Sequence, residues 1–235
     1  MARYGAAIFD VFGTVVDWRS GVAAEVTKLY HAKGKAVDAG AFADEWRGEY
    51  QPAMQRVRSG NRGYVALDTL HRENLEMVLK RRGELSLFTE DELGALNHAW
   101  EKLPPWPDAP AGLADLKTIM PVATCSNGSI ALMTRLARFG GLSWDCILGA
   151  EIARGYKPDA KVYHLSAAAL GLAPGEVIMI ATHNNDLAAA KRAGLATGYF
   201  PRPDELGPGV KTDLAPAQEW DVIADDMIDM VRKLR

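Results

Sequence analysis

Cysteine is scarce in this chain. Its 235 residues carry two, Cys125 and Cys146, spaced for neither a metal site nor a redox pair, so a disulfide framework or a thiolate zinc cluster is excluded. The two read as free thiols of a cytosolic protein. Long apolar runs are missing as well; none approaches the roughly 18 residues of a membrane span. No signal peptide precedes the first strand, which sets the expectation of a cytoplasmic location. Charge of one sign is not in excess either. A formal net charge of −3 argues against a nucleic-acid-binding surface and offers nothing to a membrane. There are no internal repeats and no low-complexity tract. What remains is a chain that is 48% hydrophobic, long enough for one large domain or two small ones with a substantial core.

The apolar residues fall into two patterns. Ala6–Phe9, Pro121–Cys125, Val177–Ala181 and Leu195–Phe200 are short, uninterrupted and bounded by turn residues, as parallel strands buried on both faces are. Between them lie helical stretches: Ala160–Leu170, opened by Pro158-Asp159 and closed near Gly171, and Asp186–Ala193, closed at Gly194. Alternating strand and helix predicts an α/β fold with a doubly wound, Rossmann-like parallel sheet. Residues 19–102 contain no convincing strand. Leu67, Leu70, Leu75, Val78 and Leu79 share one helical face, and Thr89-Glu90-Asp91-Glu92 reads as a capping box. Leu103-Pro104-Pro105-Trp106-Pro107 reads as a return hinge. The expected division is therefore a core of 1–18 and 103–235 with a helical cap of 19–102. Ligands of such sheets bind outside the carboxyl ends of the strands, and an insertion after strand one sits over that crevice.

Four segments carry candidate chemistry. Ile8-Phe9-Asp10-Val11-Phe12-Gly13-Thr14 is an apolar strand ending in a carboxylate and a tight Gly-Thr turn. Thr124-Cys125-Ser126-Asn127-Gly128-Ser129 ends a second strand, where Ser126, Asn127 and the backbone N–H groups of a helix start form an anion cradle. Gly155-Tyr156-Lys157-Pro158-Asp159 places a lysine in a loop, with Tyr163 on the following helix. Ile180-Ala181-Thr182-His183-Asn184-Asn185-Asp186 ends a third strand.

In this order the segments resemble the haloacid dehalogenase superfamily, and within it the type II 2-haloacid dehalogenases, over Ala7 to about Pro203. The resemblance implies that Asp10 is a covalent nucleophile, that Lys157 and Thr14 orient it, and that Asp186 braces Lys157, with Asp186 or His183 activating the hydrolytic water. It also implies that Arg47, in Trp46-Arg47 of the cap, meets the departing halide. Ser126 and Asn127 would fix the substrate carboxylate, with Phe12 and Tyr163 as further substrate contacts. No cofactor is implied. The partner implied is a small halogenated carboxylic acid, and a homodimer is the familiar assembly.

Two departures bear on the chemistry. The phosphatases of the superfamily carry an acid two residues after the nucleophile and a Gly-Asp pair that binds magnesium; here these positions are Phe12 and Ala181-Thr182. A phosphoryl group repels an attacking carboxylate by about 4 kcal/mol per charge pair at 4 Å and an effective dielectric of 20, which magnesium offsets. A 2-haloacid is attacked at an sp³ carbon whose leaving group needs no proton, so hydrolysis of the carbon–halide bond through an aspartyl ester, without metal, is the expected reaction. The second departure is His183, where better-known members carry an Asn amide. It can activate the hydrolytic water as a neutral base, donate to the halide (fluoroacetate being then a candidate substrate) or serve structurally. Two rival functions stay open: a magnesium phosphatase with a rebuilt site using Asp159 or Asp186, and a non-catalytic small-acid-binding protein.

Overall fold

In the computed structural model, which describes residues 3–207, 209–210 and 213–235, the apolar runs of the sequence lie side by side. Strands β1 (Ala6–Phe9), β2 (Val122–Thr124), β3 (Val177–Ala181), β4 (Ala196–Tyr199) and β5 (Val222–Ile223) form one sheet in the order β2-β1-β3-β4-β5, and every pairing is parallel. This is the α/β fold that the alternating pattern predicts. β5 escaped the sequence reading because two residues are too short for a periodic signal.

The uninterrupted hydrophobicity of the strands has a direct cause. Side chains alternate across a strand, and here both faces are covered. Ala7, Phe9, Ile178 and Ile180 belong to one apolar cluster, with Leu113 and Leu116 of helix α6 and Met230 and Leu234 of the last helix. Ile8, Met179 and Ala181 belong to a second, with Val162, Tyr163, Leu187 and Ala190. The helices concerned are α6 (Ala109–Leu116), α9 (Ala160–Ala169), α10 (Asn184–Arg192) and α11 (Met227–Leu234). The helix α10 begins two residues before the expected Asp186, because His183 already stands at its N-cap.

Between β1 and β2 the described chain is helical: α1 (Trp18–Ala32), α2 (Ala39–Gly48), α3 (Tyr50–Arg58), α4 (Leu67–Arg81) and α5 (Glu90–Asn97), with a 3₁₀ turn at His98–Glu101. Asp17 and Asp38 cap α1 and α2, and Thr89 with Glu92 closes the capping box of α5. The two connections to this insertion run beside each other. Asp17 N–H donates to Pro104 O at 2.9 Å and Trp106 N–H to Val15 O at 3.0 Å, while the Trp106 indole donates to Gly13 O at 2.8 Å. An aromatic column carries the contact inward: Trp46 packs edge-on against Trp100, and Trp100 edge-on against Phe12 at 5.8 Å.

After β2 the chain continues through α7 (Ile130–Gly140) and the single turn α8 (Ala150–Ala153). Gly149, before α8, has φ +132°, and a Cβ there would lie 2.1 Å from Ser126 O. That close approach positions the loop after β2, so Gly149→Ala is expected to cost more than about 1 kcal/mol. Gly94, inside α5 with open space around it, is the opposite case: Gly94→Ala is expected to gain roughly 0.5–1 kcal/mol. Urea unfolding of the two variants checks both signs.

Candidate active site

Strands β1, β2 and β3 end together, and their carboxyl ends meet a cavity of about 420 Å³. β1 delivers Asp10. Its backbone N–H donates to Ile180 O at 3.0 Å, so the residue is still part of the sheet when the chain turns away at Gly13, where φ is +89°. That turn brings Thr14 back over the strand end. Thr14 Oγ1 donates to Asp10 Oδ2 at 2.9 Å and accepts from the Thr182 N–H at 3.1 Å.

Lys157 arrives from the loop between α8 and α9. Its backbone N–H donates to Asn127 Oδ1 at 2.8 Å, which ties the second and third motifs together. Its ammonium donates to Asp10 Oδ1 at 2.9 Å and to Asp186 Oδ2. Asp10, Lys157 and Asp186 are each less than a tenth exposed. Burial pushes the Asp10 carboxyl up, but Lys157 and the hydrogen bond from His183 outweigh it and hold the group well below the usual carboxylate range. Burial likewise opposes the charge on Lys157, and Asp10 and Asp186 reverse that, raising its pKa above the ordinary lysine value.

His183, from the end of β3, lies between two carboxylates. Its Nδ1 is 3.0 Å from Asp10 Oδ2, and its Nε2 is 2.9 and 3.0 Å from the two oxygens of Glu205. Burial disfavours the charged ring, but Glu205 and Asp10 prevail and raise its pKa to about 10. The expectation of a neutral imidazole ready to accept a proton at pH 7 therefore does not describe this resting arrangement.

Of the other sequence candidates, Phe12, Arg47 and Asn127 line the cavity with Asp10, Lys157, His183 and Asp186. The Arg47 guanidinium lies over the rings of Tyr50, Trp18 and Phe12, 3.9–5.9 Å from their centroids, and its buried NH1 has no hydrogen-bond partner. Ser126 is fully buried and its Oγ accepts from Gly128 N–H at 3.0 Å, so the hydroxyl serves the turn and keeps only its own proton to offer. Tyr163 requires a correction. It was expected on the substrate, yet it is buried behind the site and its O–H donates to Asp186 Oδ1 at 2.6 Å. It braces the acid that braces the lysine. Sequence reasoning missed Tyr50, Gln51, Gln55 and Arg58 of α3, which also line the cavity, and it missed Glu205. The α3 set could have been found as the polar face of a helix one turn beyond Arg47; Glu205, in a loop, gave no signal.

The fold and this constellation define a hydrolase. Residues 4–194 match the model of the haloacid dehalogenase-like hydrolases, and the chain belongs to that family. Among solved structures, a defluorinating L-2-haloacid dehalogenase is 46% identical, with a TM-score of 0.97 and 99% of this chain and 95% of that one covered. Another L-2-haloacid dehalogenase is 43% identical, with a TM-score of 0.94 and 98% of each chain covered. The (S)-2-haloacid dehalogenase of Xanthobacter autotrophicus is 28% identical over 200 residues, 84% of this chain and 75% of that protein. No helix among the described residues is long and apolar enough to cross a membrane.

The charge on His183 has a consequence for stability. A group whose pKa rises on folding stabilises the fold fully below its unfolded value, here 6.5, and that contribution is lost as pH climbs to about 10. The difference in melting temperature between wild type and His183→Gln is expected to be largest near pH 6 and to shrink toward pH 10; thermal melts across that range test it, and a constant difference would refute it.

Proposed function

We propose that this chain hydrolyses the carbon–halide bond of small (S)-2-haloalkanoic acids, giving 2-hydroxy acids through an aspartyl ester and without a metal. The observation that carries the reading is the pairing of one desolvated, ionised carboxylate, Asp10, with the guanidinium of Arg47, a residue that lines the same cavity and one of whose nitrogens lacks a partner. A carboxylate attacks an sp³ carbon from the side opposite its leaving group, and a cation beyond that carbon stabilises the halide as it departs. The names of the relatives point the same way. The helical insertion of 19–102, which supplies Arg47, acts as the cap of the site.

In the first step Asp10 attacks C2 of the substrate, the carbon–halide electron pair leaves with the halide, and C2 inverts. Asn127 and the backbone N–H groups of the loop after β2 hold the substrate carboxylate. Phe12 and Tyr50 supply apolar walls that keep water from the nucleophile. In the second step water attacks the carbonyl carbon of the Asp10 ester, so the inversion persists in the product. Metal independence is supported by Phe12 and Thr182, which offer no carboxylate beside Asp10, and by the donors that already occupy its oxygens: Lys157, Thr14 and His183. Fluoroacetate belongs among the proposed substrates, since a relative 46% identical to this chain is named as defluorinating.

Halide release from chloro-, bromo- and fluoro-acids is expected to proceed equally with and without EDTA, and to fall to background in Asp10→Asn, which keeps the shape of the side chain. In a single turnover in ¹⁸O-water the label is expected in the Asp10 carboxylate and not in the product hydroxyl. Label found directly in the product would place the attacking water on C2 and sink the covalent route; loss of activity with EDTA and its return with magnesium would sink the metal-free one.

A further inference from the structure

Glu205 lies 22 residues beyond His183, in the loop after β4, and is 7% exposed. Three features fix its carboxylate. The Trp18 indole donates to Oε1 at 3.2 Å. The backbone of Gly13 approaches so closely that a Cβ there would lie 2.1 Å from Oε1. Arg202, three residues earlier, anchors the loop by donating to Thr14 O at 2.9 Å. An ionised carboxylate only accepts hydrogen bonds. His183 has such an oxygen opposite each ring nitrogen, so both nitrogens carry protons and both donate.

We propose that Glu205 is a positioning residue: it holds the His183 ring with Nε2–H on its own carboxylate and Nδ1–H on Asp10 Oδ2, making His183 a donor to the oxyanion that forms on Oδ2 during ester hydrolysis. This rests on the covalent reading above and deepens it. The two oxygens of Asp10 differ in their partners. Oδ2 accepts from Thr14 and His183, which fills its two lone-pair directions, whereas Oδ1 accepts from Lys157 alone. Oδ1 therefore keeps the free pair that attacks C2, and Oδ2 becomes the ester carbonyl. When water adds to Cγ, the π pair moves onto Oδ2, where Nδ1–H and the Thr14 hydroxyl already point. Collapse of the adduct breaks the Cγ–Oδ1 bond and frees the 2-hydroxy acid. Of the two protons of water, one ends on the product oxygen and one in solvent with the halide, and Asp10 returns as carboxylate. The water does not need His183 as its base; the ring lowers the barrier by holding charge on Oδ2, as preorganised donors do.

The charged groups that face the ring are Asp10 from β1 and Glu205 from the loop after β4. Lys157 pairs with Asp10 and Asp186, while Arg47, Arg58 and Asp213 line the same cavity. Rapid-quench kinetics with 2-chloropropionate separate the two steps. Glu205→Gln keeps an acceptor for Nε2–H but removes the charge. It is expected to retain the halide burst, to accumulate an ester visible as added mass on the Asp10 peptide, and to hydrolyse that ester at least about tenfold more slowly, part of the 10²–10³ that a lost oxyanion donor costs. Ester hydrolysis should decline with rising pH, from a lower pH in Glu205→Gln than in wild type, and Glu205→Asp should recover part of the loss. Unchanged ester hydrolysis in Glu205→Gln, or hydrolysis that rises with pH as the ring titrates, overturns the proposal. Imidazole ¹⁵N shifts of the wild type at about pH 8, above the ordinary histidine range, assigned against His183→Gln, give a reading that needs no folded Glu205 variant. Two protonated nitrogens support the placement and a neutral ring overturns it. Wild type that releases no halide overturns the dehalogenase reading, and the oxyanion role with it, while the ring shifts still decide what Glu205 does to His183.

Discussion

One ammonium shared by two carboxylates organises this molecule. Lys157 reaches Asp10 on one side and Asp186 on the other, all three nearly out of water. Buried charges of this kind persist only when each is paired, because removing one partner strands the other in a low dielectric at a cost of about 3–5 kcal/mol. The surroundings follow from that need. Tyr163 donates to the second oxygen of Asp186, Asn127 receives the lysine's backbone N–H, and Thr14 with His183 completes the shell of Asp10. Three strand ends and two loops must arrive together for the charges to be met, so the sheet is also the device that keeps Asp10 ionised. Glu205 extends the same alternation of sign by one more step, from Asp10 through His183 to a third carboxylate.

The site is also where the helical insertion is fastened to the sheet. Phe12 stands two residues from Asp10, and it packs against Trp100 while lining the cavity. One apolar side chain thus extends the aromatic column of Trp46 and Trp100 to Asp10. The same column borders His71, buried with both ring nitrogens unpartnered and stacked 4.1 Å from Trp100; burial, and then the nearby Arg47 charge, hold its pKa well below the histidine range. A neutral His71 adds no charge beside Arg47.

Much of this is legible in the sequence. Four of the five strands announce themselves as short apolar runs because both faces of a parallel sheet are covered. The α5 capping box is readable from Thr89 and Glu92 because it is a bond between residues three apart. Asp10 and Asp186 are readable as motif residues because each sits a few residues from a strand end, and Lys157 because the loop segment Gly155-Tyr156-Lys157-Pro158 resembles a family motif. Tyr163 shows the limit of such reading: its position six residues beyond Lys157 said that it was near the site, but its direction depended on how α9 packs on the sheet, and that turned its hydroxyl to Asp186.

Glu205 lay outside the reach of the sequence for a related reason. A loop glutamate carries no periodicity and no cap geometry, and nothing local distinguishes it from a solvated one. It became a partner of His183 because Arg202 pins its loop to the Thr14 backbone and Gly13 leaves room for its carboxylate. The sequence by itself determined four strands of the sheet and the helices between β1 and β2, which rest on local hydrophobic pattern, and named the buried charges through the resemblance of their motifs. Only the tertiary structure decided which oxygen of Asp10 is left open and which charge His183 carries, because both depend on groups far apart in the chain that meet only when the strand ends, the insertion and the loop after β4 close on one point.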